Sequence, residues 1–293
     1  MMTTKTYAYE GTHELPCTAS EAFEALTNPV KLLVWFSEHA EVEPQVGGAF
    51  RFWGRHTPFD AGEAGADQRI SAIVPGEQLA FTWTWGGAPT RVTIELTDAD
   101  SGCSVLIKHE AESEVAGHRA RDMVYLMDDL WALSMGNLRE YMISGKPVLL
   151  PDHSQAGKSD VSLSLEIDAA ASVIWKSLTD PNELNRWLAH DASVDLREGG
   201  GYSYGWDLDI EGCDCVGPTK IIELERERLL IHDWTYEGDS TNRTEWRIEP
   251  LGEDRCRVSV KQVGIKTAKE HGGYTNGWAK FLLALRQLCA SGA

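Results

Sequence analysis

Apolar residues follow two different periods along this chain, and each period occurs twice. In the middle of each half, apolar side chains occupy alternate positions, most clearly at Phe81, Trp83 and Trp85. This alternation predicts antiparallel strands with one face covered. Over residues 123–141 and 274–288, apolar residues recur at steps of three and four, which predicts a long amphipathic helix at the end of each half.

Capping residues predict two short helices ahead of the strands. Thr18 and Glu21 have the spacing of a capping box, in which each side chain binds the backbone amide of the other. Asn28 and Pro29 predict the start of a second helix, because Asn is a good N-cap and Pro fits the first helical position. The second half repeats this signal at Asp180-Pro181, and we expect Leu184, Trp187 and Leu188 to face inward from its second helix.

The helix and double-glycine signals repeat at one fixed offset. Trp35 falls on Trp187 and Gly47-Gly48 falls on Gly199-Gly200, an offset of 152 residues (187 − 35). A solenoid repeat spans roughly 20–50 residues, so an offset of this size corresponds to a whole domain. The sequence therefore predicts two copies of one fold rather than one large domain.

A segment of Pro, Gly and polar residues separates the two copies. We predict a first domain at residues 1–146, a linker at residues 147–159 and a second domain at residues 160–293. The short apolar run within the linker, residues 148–150, is expected to pack on a domain surface.

Composition and charge exclude several kinds of partner. The chain has 293 residues, an apolar fraction of 42% and a formal net charge of −18. Such an acidic protein repels nucleic acid and anionic membranes, so we expect neither as a partner. The first residues lack the apolar core of a signal peptide, and no stretch approaches the roughly 20 apolar residues of a membrane span. These features predict a cytoplasmic protein with reduced cysteines, and they do not indicate its oligomeric state.

Matching residues in the two halves also carry a family resemblance. They are Ala19-Ser20, Leu26-Thr27-Asn28-Pro29, Leu32, Trp35-Phe36, Gly47-Gly48, Phe50-Arg51-Phe52, Leu79, Phe81-Thr82-Trp83, Trp131 and Leu138, then Ala171-Ser172, Leu178-Thr179-Asp180-Pro181, Trp187, Gly199-Gly200, Leu229, Trp234, Trp278 and Leu285. With the order of the predicted elements, they resemble the SRPBCC or START-like superfamily, and more narrowly the family of the activator of the Hsp90 ATPase. The resemblance implies an α+β fold of two tandem helix-grip (START/Bet v 1-like) domains. Each would be a curved antiparallel sheet wrapped around a long C-terminal helix, with a cavity between them.

The alternating pattern assigns aromatic and apolar residues, with one histidine, to the concave face of the first sheet. The candidate ligand-binding residues of the first half, with two from its closing helix, are Phe50, Phe52, Phe81, Trp83, Trp85, Ile94, His109, Met127 and Trp131. Flat rings on one face suit an aromatic ligand in a concave site. The alternative is that these rings fill the core.

His109 stands where the strand pattern favours an apolar residue, and Gln262 takes the corresponding place in the second half. A buried polar group needs a partner, which can be a protein group, water or a ligand. The matching positions predict a shared hydrogen-bonding point, and a satisfied core histidine is the alternative. The candidates in the second half are Tyr202, Tyr204, Trp206 and Gln262.

Two irregular segments carry further polar candidates. Residues 53–67 form a long loop in which Arg55, His56 and Asp60 could hold a polar ligand head under Phe59, unless the loop is a solvated excursion. Residues 206–215 gather Asp, Glu and Cys. They lack the second Cys/His pair of a zinc site and the spacing of a calcium loop, so we expect no metal and no cofactor.

Motifs for common enzyme classes are absent from the sequence, including Gly-x-Ser-x-Gly, His-Glu-x-x-His and phosphate-binding loops. Our first hypothesis is non-catalytic binding of a small hydrophobic or aromatic molecule, in the first domain above all. A second is an enzyme of the polyketide cyclase or hydrolase type that uses His109 with Tyr125 or Arg91. A third, implied by the resemblance, is an Hsp90-type chaperone cofactor, although that family's eukaryotic cofactor has a different domain where this chain has a second copy.

Overall fold

Two units of the same architecture make up the protein. The computed structural model describes residues 5–58, 62–85, 88–113, 118–155, 157–206, 217–236 and 239–291. By their internal contacts the units are Met1–Gln155 and Ala156–Ala293. Each unit has a strand, two short helices, a series of antiparallel strands and a long closing helix, in that order. The predicted α+β class and the tandem repeat are therefore confirmed.

The first unit contains seven main strands and three α-helices in its described part. They are β1 (Lys5–Leu15), α1 (Ala19–Thr27), α2 (Pro29–Trp35), β2 (His39–Val42), β3 (Phe50–Trp53), β4 (Arg69–Val74), β5 (Gln78–Trp85), β6 (Ala88–Ala99), β7 (Gly102–Ser113) and α3 (His118–Ser144). Short 3₁₀ turns add Glu63–Gly65 and His153–Gln155.

The second unit repeats these elements. They are β8 (Asp160–Ile167), α4 (Ala171–Thr179), α5 (Pro181–Leu184), β9 (Ser193–Val194), β10 (Tyr202–Ser203), β11 (Ile221–Glu225), β12 (Leu229–Tyr236), β13 (Asp239–Gly252), β14 (Arg255–Val263) and α6 (Ala268–Ser291).

Equivalent strands pair in the same order in both units. The first five-stranded sheet runs β1-β7-β6-β5-β4 and the second runs β8-β14-β13-β12-β11, with every neighbouring pair antiparallel. A two-stranded ladder accompanies each sheet, β2 with β3 and β9 with β10. The inward side chains of β5, β6 and β7 and the buried face of α3 form one hydrophobic core in the first unit.

The predicted helix starts are confirmed. The Glu21 amide donates to Thr18 Oγ1 at 3.2 Å, and the Thr18 amide donates to Glu21 Oε2 at 2.9 Å, which completes the capping box. Asn28 Oδ1 accepts from the Val30 amide at 2.9 Å at the start of α2. Asp180 does the same for α5 in the second unit.

The second unit departs from the sequence prediction in two places. Helix α5 ends at Leu184, so Trp187 and Leu188 follow the helix instead of lying on it, as Asn185 adopts the C-cap position. Strand β10 ends at Ser203, because Gly205 turns the chain with a φ of 64°. Tyr204 and Trp206, which the alternation assigned to this strand, therefore lie beyond its end.

The double glycine has the same structural role in both units. Gly47 and Gly199 have positive φ values of 81° and 74°, which glycine adopts without strain. At Gly48 a Cβ atom would lie 2.3 Å from the Glu43 carbonyl oxygen, and at Gly200 it would lie 2.1 Å from that of Asp195. The backbone approach requires glycine at the second position as well.

Most of the predicted linker is attached to the first unit. Asn137 of α3 accepts from the amides of Val148 and Leu149, each at 3.0 Å, and donates to the Leu149 carbonyl at 2.8 Å. The His153 amide donates to the Arg55 carbonyl at 2.7 Å. The division by internal contacts accordingly falls after Gln155, whereas the sequence predicted a linker throughout residues 147–159.

Candidate functional site

His109 lies at the centre of the first unit's interior and is fully buried. Strand β7 directs its ring inward, and Trp131 of α3 donates its indole N–H to His109 Nδ1 at 3.2 Å. An indole nitrogen can only donate, so Nδ1 carries the lone pair and the ring proton lies on Nε2. Nε2 donates to Thr90 Oγ1 at 2.9 Å, and that hydroxyl donates to the Trp83 carbonyl at 2.7 Å. Both ring nitrogens are therefore bonded within the protein.

Burial also fixes the charge state of this histidine. Desolvation lowers the pKa of His109 from 6.5 to about 3. The ring is thus neutral at physiological pH, in agreement with the hydrogen bonds that it makes.

Aromatic rings surround His109 on several sides. Trp83 lies parallel to it, with ring centroids 5.7 Å apart and an interplanar angle of 6°. Trp85 and Trp131 approach at centroid distances of 5.3 and 6.0 Å. Phe52 meets Trp83 edge to face at 5.0 Å. This group, with the flanking rings and two aliphatic neighbours, is the aromatic cluster of the first unit: Phe50, Phe52, Phe81, Trp83, Trp85, Ile94, His109, Met127 and Trp131.

Arg55 and His56 make their contacts elsewhere. The Arg55 side chain is exposed and pairs with Glu38 at 3.3 Å. The His56 ring bonds the Pro151 carbonyl through Nδ1 at 2.8 Å. The His56 ring therefore contacts the linker, whereas Arg55 does so only through its backbone carbonyl. A ligand-binding role for the two residues stays a prediction. Phe59 and Asp60 lie outside the described residues.

The catalytic partners suggested for His109 do not lie beside it. Arg91 alternates with the buried Val92 on β6, so its side chain is exposed on the other face of the sheet. Tyr125 of α3 is 42% exposed. The structure thus corrects the expectation that either residue joins His109 in the interior.

The second unit has a different polar arrangement at the matching positions. Gln262 is fully buried on β14, and its Oε1 accepts from Thr244 Oγ1 at 2.5 Å. Thr244 of β13 lies opposite His232 of β12. His232 bonds the Asp233 carbonyl through Nδ1 at 2.7 Å and accepts from the Tyr204 hydroxyl through Nε2 at 3.3 Å. His232 therefore carries its proton on Nδ1, the opposite tautomer from His109.

Burial keeps these groups neutral too. Desolvation lowers the pKa of His232 from 6.5 to about 4. It raises the pKa of the Tyr202 and Tyr204 hydroxyls above their ordinary value. Tyr202 donates to the Leu178 carbonyl at 2.7 Å, and the half-buried Trp206 donates to the Leu188 carbonyl at 2.8 Å. All four residues predicted in this unit thus have a hydrogen-bond partner within the protein. For Gln262 this holds for the side-chain oxygen.

Comparison with known families agrees with the repeated architecture. The sequence profile of the family "Activator of Hsp90 ATPase homolog 1-like protein" matches twice, at residues 16–142 and 168–290. The chain belongs to this family. No curated protein matches it.

Several solved structures resemble this chain at low sequence identity. DynU16, from the dynemicin biosynthetic locus, is 19% identical, with 96% of this chain and 98% of that chain covered and a TM-score of 0.40. Protein MLL2253 from Mesorhizobium loti is 18% identical and covers 46% of this chain and 98% of its own, with a TM-score of 0.40. The Aha1 dimer from Colwellia psychrerythraea is 18% identical and covers 45% and 96%, with a TM-score of 0.39.

His232 is a buried polar residue that was not among the site residues predicted from the sequence. It occupies the position of Phe81, because Leu79 and Phe81 on β5 align with Leu230 and His232 on β12. Its signal in the sequence is the same as that of His109 and Gln262, namely a polar residue at an inward strand position. Thr90 and Thr244 complete the two hydrogen-bond networks. Because Thr is common in strands, the sequence does not mark either of them as a site residue.

Metal-binding clusters and membrane-spanning helices are both absent from the described residues. Among them, no group of three or more His, Cys, Asp and Glu could hold a metal ion. The acidic and cysteine-containing stretch 207–216 lies outside that part of the chain. No helix in the described ranges is long and apolar enough to cross a membrane.

Proposed function

We propose that the first unit binds a small hydrophobic or aromatic molecule without catalysing a reaction. The observation that carries this proposal is the aromatic cluster around His109. Its rings lie buried on the inward side of the sheet and pack against α3. Binding sites for small molecules are lined mainly by apolar and aromatic side chains with a few fixed polar groups, and this cluster has that composition.

The state of His109 supports binding rather than catalysis. A general acid or base needs a nitrogen within reach of the substrate and a pKa near the working pH. In this structure Trp131 and Thr90 occupy both nitrogens, and the pKa lies at about 3. Such a ring can orient its neighbours, whereas it is a poor proton acceptor at neutral pH.

Titration with a neutral fluorescent probe that carries no carbonyl, N-phenyl-1-naphthylamine, tests the proposal on the full chain. Trp83→Ala and His109→Ala should each weaken binding to the first unit at least about tenfold, because each removes part of the aromatic face. Trp53→Ala is the matched control, since Trp53 stacks on His39 away from the cluster. It should leave the affinity unchanged.

The outcomes separate the three functions. Unchanged probe affinity in a folded Trp83→Ala variant, checked by circular dichroism, would exclude this site. Turnover of aromatic polyketides or esters that is lost in His109→Gln would favour an enzyme instead. Recovery of an Hsp90-type chaperone on the purified chain, abolished by surface rather than interior substitutions, would favour a cofactor.

A further inference from the structure

The interior of the second unit contains hydrogen-bond donors that have no acceptor. Within the described residues, the indole nitrogens of Trp234 and Trp278 and the amide nitrogen of Gln262 have no hydrogen-bond partner. These residues are only 5%, 2% and 0% exposed, so bulk water does not reach them. Trp246 Nε1, Asn276 Nδ2 and the acceptor Asn242 Oδ1 of this unit also have no partner in the described part of the chain. A buried donor without a partner costs about 1–3 kcal/mol, so several in one interior are unusual for a folded domain.

The three donors belong to one region of the fold. Trp234 and Trp278 lie edge to face, with ring centroids 5.1 Å apart. Trp234 follows His232 by two positions on β12 and shares its inward face. Gln262 lies across the sheet from His232 through Thr244, because the three residues are register neighbours on β12, β13 and β14. The donors therefore lie between the concave face and α6.

The first unit shows what such a donor needs. There, Trp131 of α3 donates to the acceptor nitrogen of His109. Trp278 of α6 stands in place of Trp131, and Gln262 stands in place of His109. The substitution of an amide for the imidazole leaves an N–H group where the first unit has a lone pair. Exchanging the positions of Oε1 and Nε2 in the Gln262 amide would supply one acceptor. It would still leave the Trp234 indole unpaired.

The chemistry of the neighbours defines the missing partner. Among the described residues, three neighbours of these donors are neutral: the imidazole of His232, the hydroxyl of Thr244 and the ring of Tyr274, which lies 6.1 Å from Trp234. An anion would be buried there without a counter-charge, at a high cost. A neutral oxygen acceptor on an aromatic or apolar body fits both the donors and the rings.

We propose that the second unit binds a carbonyl-bearing aromatic molecule, whose oxygen accepts from Trp234, Trp278 and Gln262. The class includes aryl ketones, aldehydes, esters and amides. This site lies in the other repeat and involves different residues from the site of the proposed function. The proposal for the second unit is therefore tested independently of the proposed function.

Two probes of matched shape test this proposal on the full chain labelled with ¹⁵N-tryptophan. 2-Acetonaphthone carries a carbonyl, and 2-ethylnaphthalene has the same outline without it. We expect the ketone to bind about tenfold more tightly, because it supplies the missing acceptor. We also expect it to move the indole N–H resonances of Trp234 and Trp278 downfield, whereas the hydrocarbon should not.

Two substitutions assign the effect to this site. Trp278→Phe keeps an aromatic ring and removes one donor, so the preference for the ketone should fall several-fold. Gln262→His installs the acceptor of the first unit, and it should remove that preference while leaving the chain folded. Should Gln262→His fail to fold, Trp278→Phe and the indole shifts still decide the matter.

Three results would overturn the proposal. The first is equal affinity for the two probes, and the second is ketone binding that moves only the indole signals of the first unit. The third is no binding of either probe with the Trp234 and Trp278 signals unchanged, in which case buried water supplies the acceptor. A loss of probe binding in the first unit alone would instead count against the proposed function and leave this site intact.

Discussion

The two interiors place a polar residue at the same strand position and complete its hydrogen bonds differently. In the first unit, His109 is bonded at both nitrogens by Trp131 and Thr90. In the second, Gln262 is bonded at its oxygen by Thr244, while its nitrogen has no partner in the part of the chain that the structure describes. One fold can thus hold a closed polar network in one copy and an open one in the other. The difference arises from single residues rather than from topology.

The largest expected difference between the two units is in the stability lost when the equivalent residues Trp131 and Trp278 are replaced by Phe. Trp131→Phe should destabilise the first unit by about 3 kcal/mol, because it removes volume and leaves the His109 lone pair buried without a donor. Trp278→Phe should cost the second unit only about 1–2 kcal/mol, because the lost N–H had no partner. Urea denaturation combined with amide hydrogen exchange in β7 and β14 measures each unit separately. Equal losses in the two units would contradict the comparison.

Acid should destabilise both units through their buried histidines. Each ring stays neutral in the folded state, with a pKa of about 3 for His109 and about 4 for His232. The unfolded chain binds a proton at each below its ordinary pKa of 6.5, so stability falls as the pH falls from there. Between pH 6.5 and pH 5 the loss is about 2 kcal/mol per histidine.

A variant isolates one histidine from the rest. The free energy of unfolding of His109→Gln should vary with pH by about 2 kcal/mol less over this window, as measured by urea denaturation at several pH values. Other histidines of lowered pKa, such as His13 and His271, contribute equally to both proteins and cancel. An unaltered pH dependence would mean that His109 is not held neutral.

Where the two units have the same backbone geometry, equivalent substitutions should lower stability by the same amount. Gly48→Ala and Gly200→Ala should each cost about 1.5 kcal/mol, because a Cβ atom would collide with a backbone carbonyl oxygen at both sites. Gly201→Ala is the control, since a Cβ atom there meets nothing within 4 Å. Thermal unfolding of the three variants checks this, and a clear difference between Gly48→Ala and Gly200→Ala would show that the turns are not equivalent.

The smallest expected effect concerns the linker. Asn137→Ala removes three hydrogen bonds to residues 148–149 and should loosen this segment by about 1 kcal/mol. Limited proteolysis should then cleave near residue 150 several times faster than in the wild type. Val30→Ala, at an exposed position of α2, serves as the control. An unchanged cleavage rate would show that Asn137 does not hold the linker.

The fold could be predicted from sequence because its signals are local and occur twice. The capping pair Thr18 and Glu21, the double glycines and the strand alternation each specify one element through neighbouring residues. The site could be predicted only in part, since alternation gives the face on which His109 lies and says nothing of its partners. Thr90 and Trp131 reach His109 from other elements, and His232 replaces an aromatic residue of the first unit. Such contacts depend on packing between distant segments.

The two buried histidines carry their protons on different ring nitrogens, Nε2 in His109 and Nδ1 in His232. Long-range proton–nitrogen spectra distinguish these two forms by the pattern of cross-peaks. Each unit therefore has its own spectroscopic reporter, built from a natural side chain, with which guest entry or local unfolding can be followed in one repeat without interference from the other.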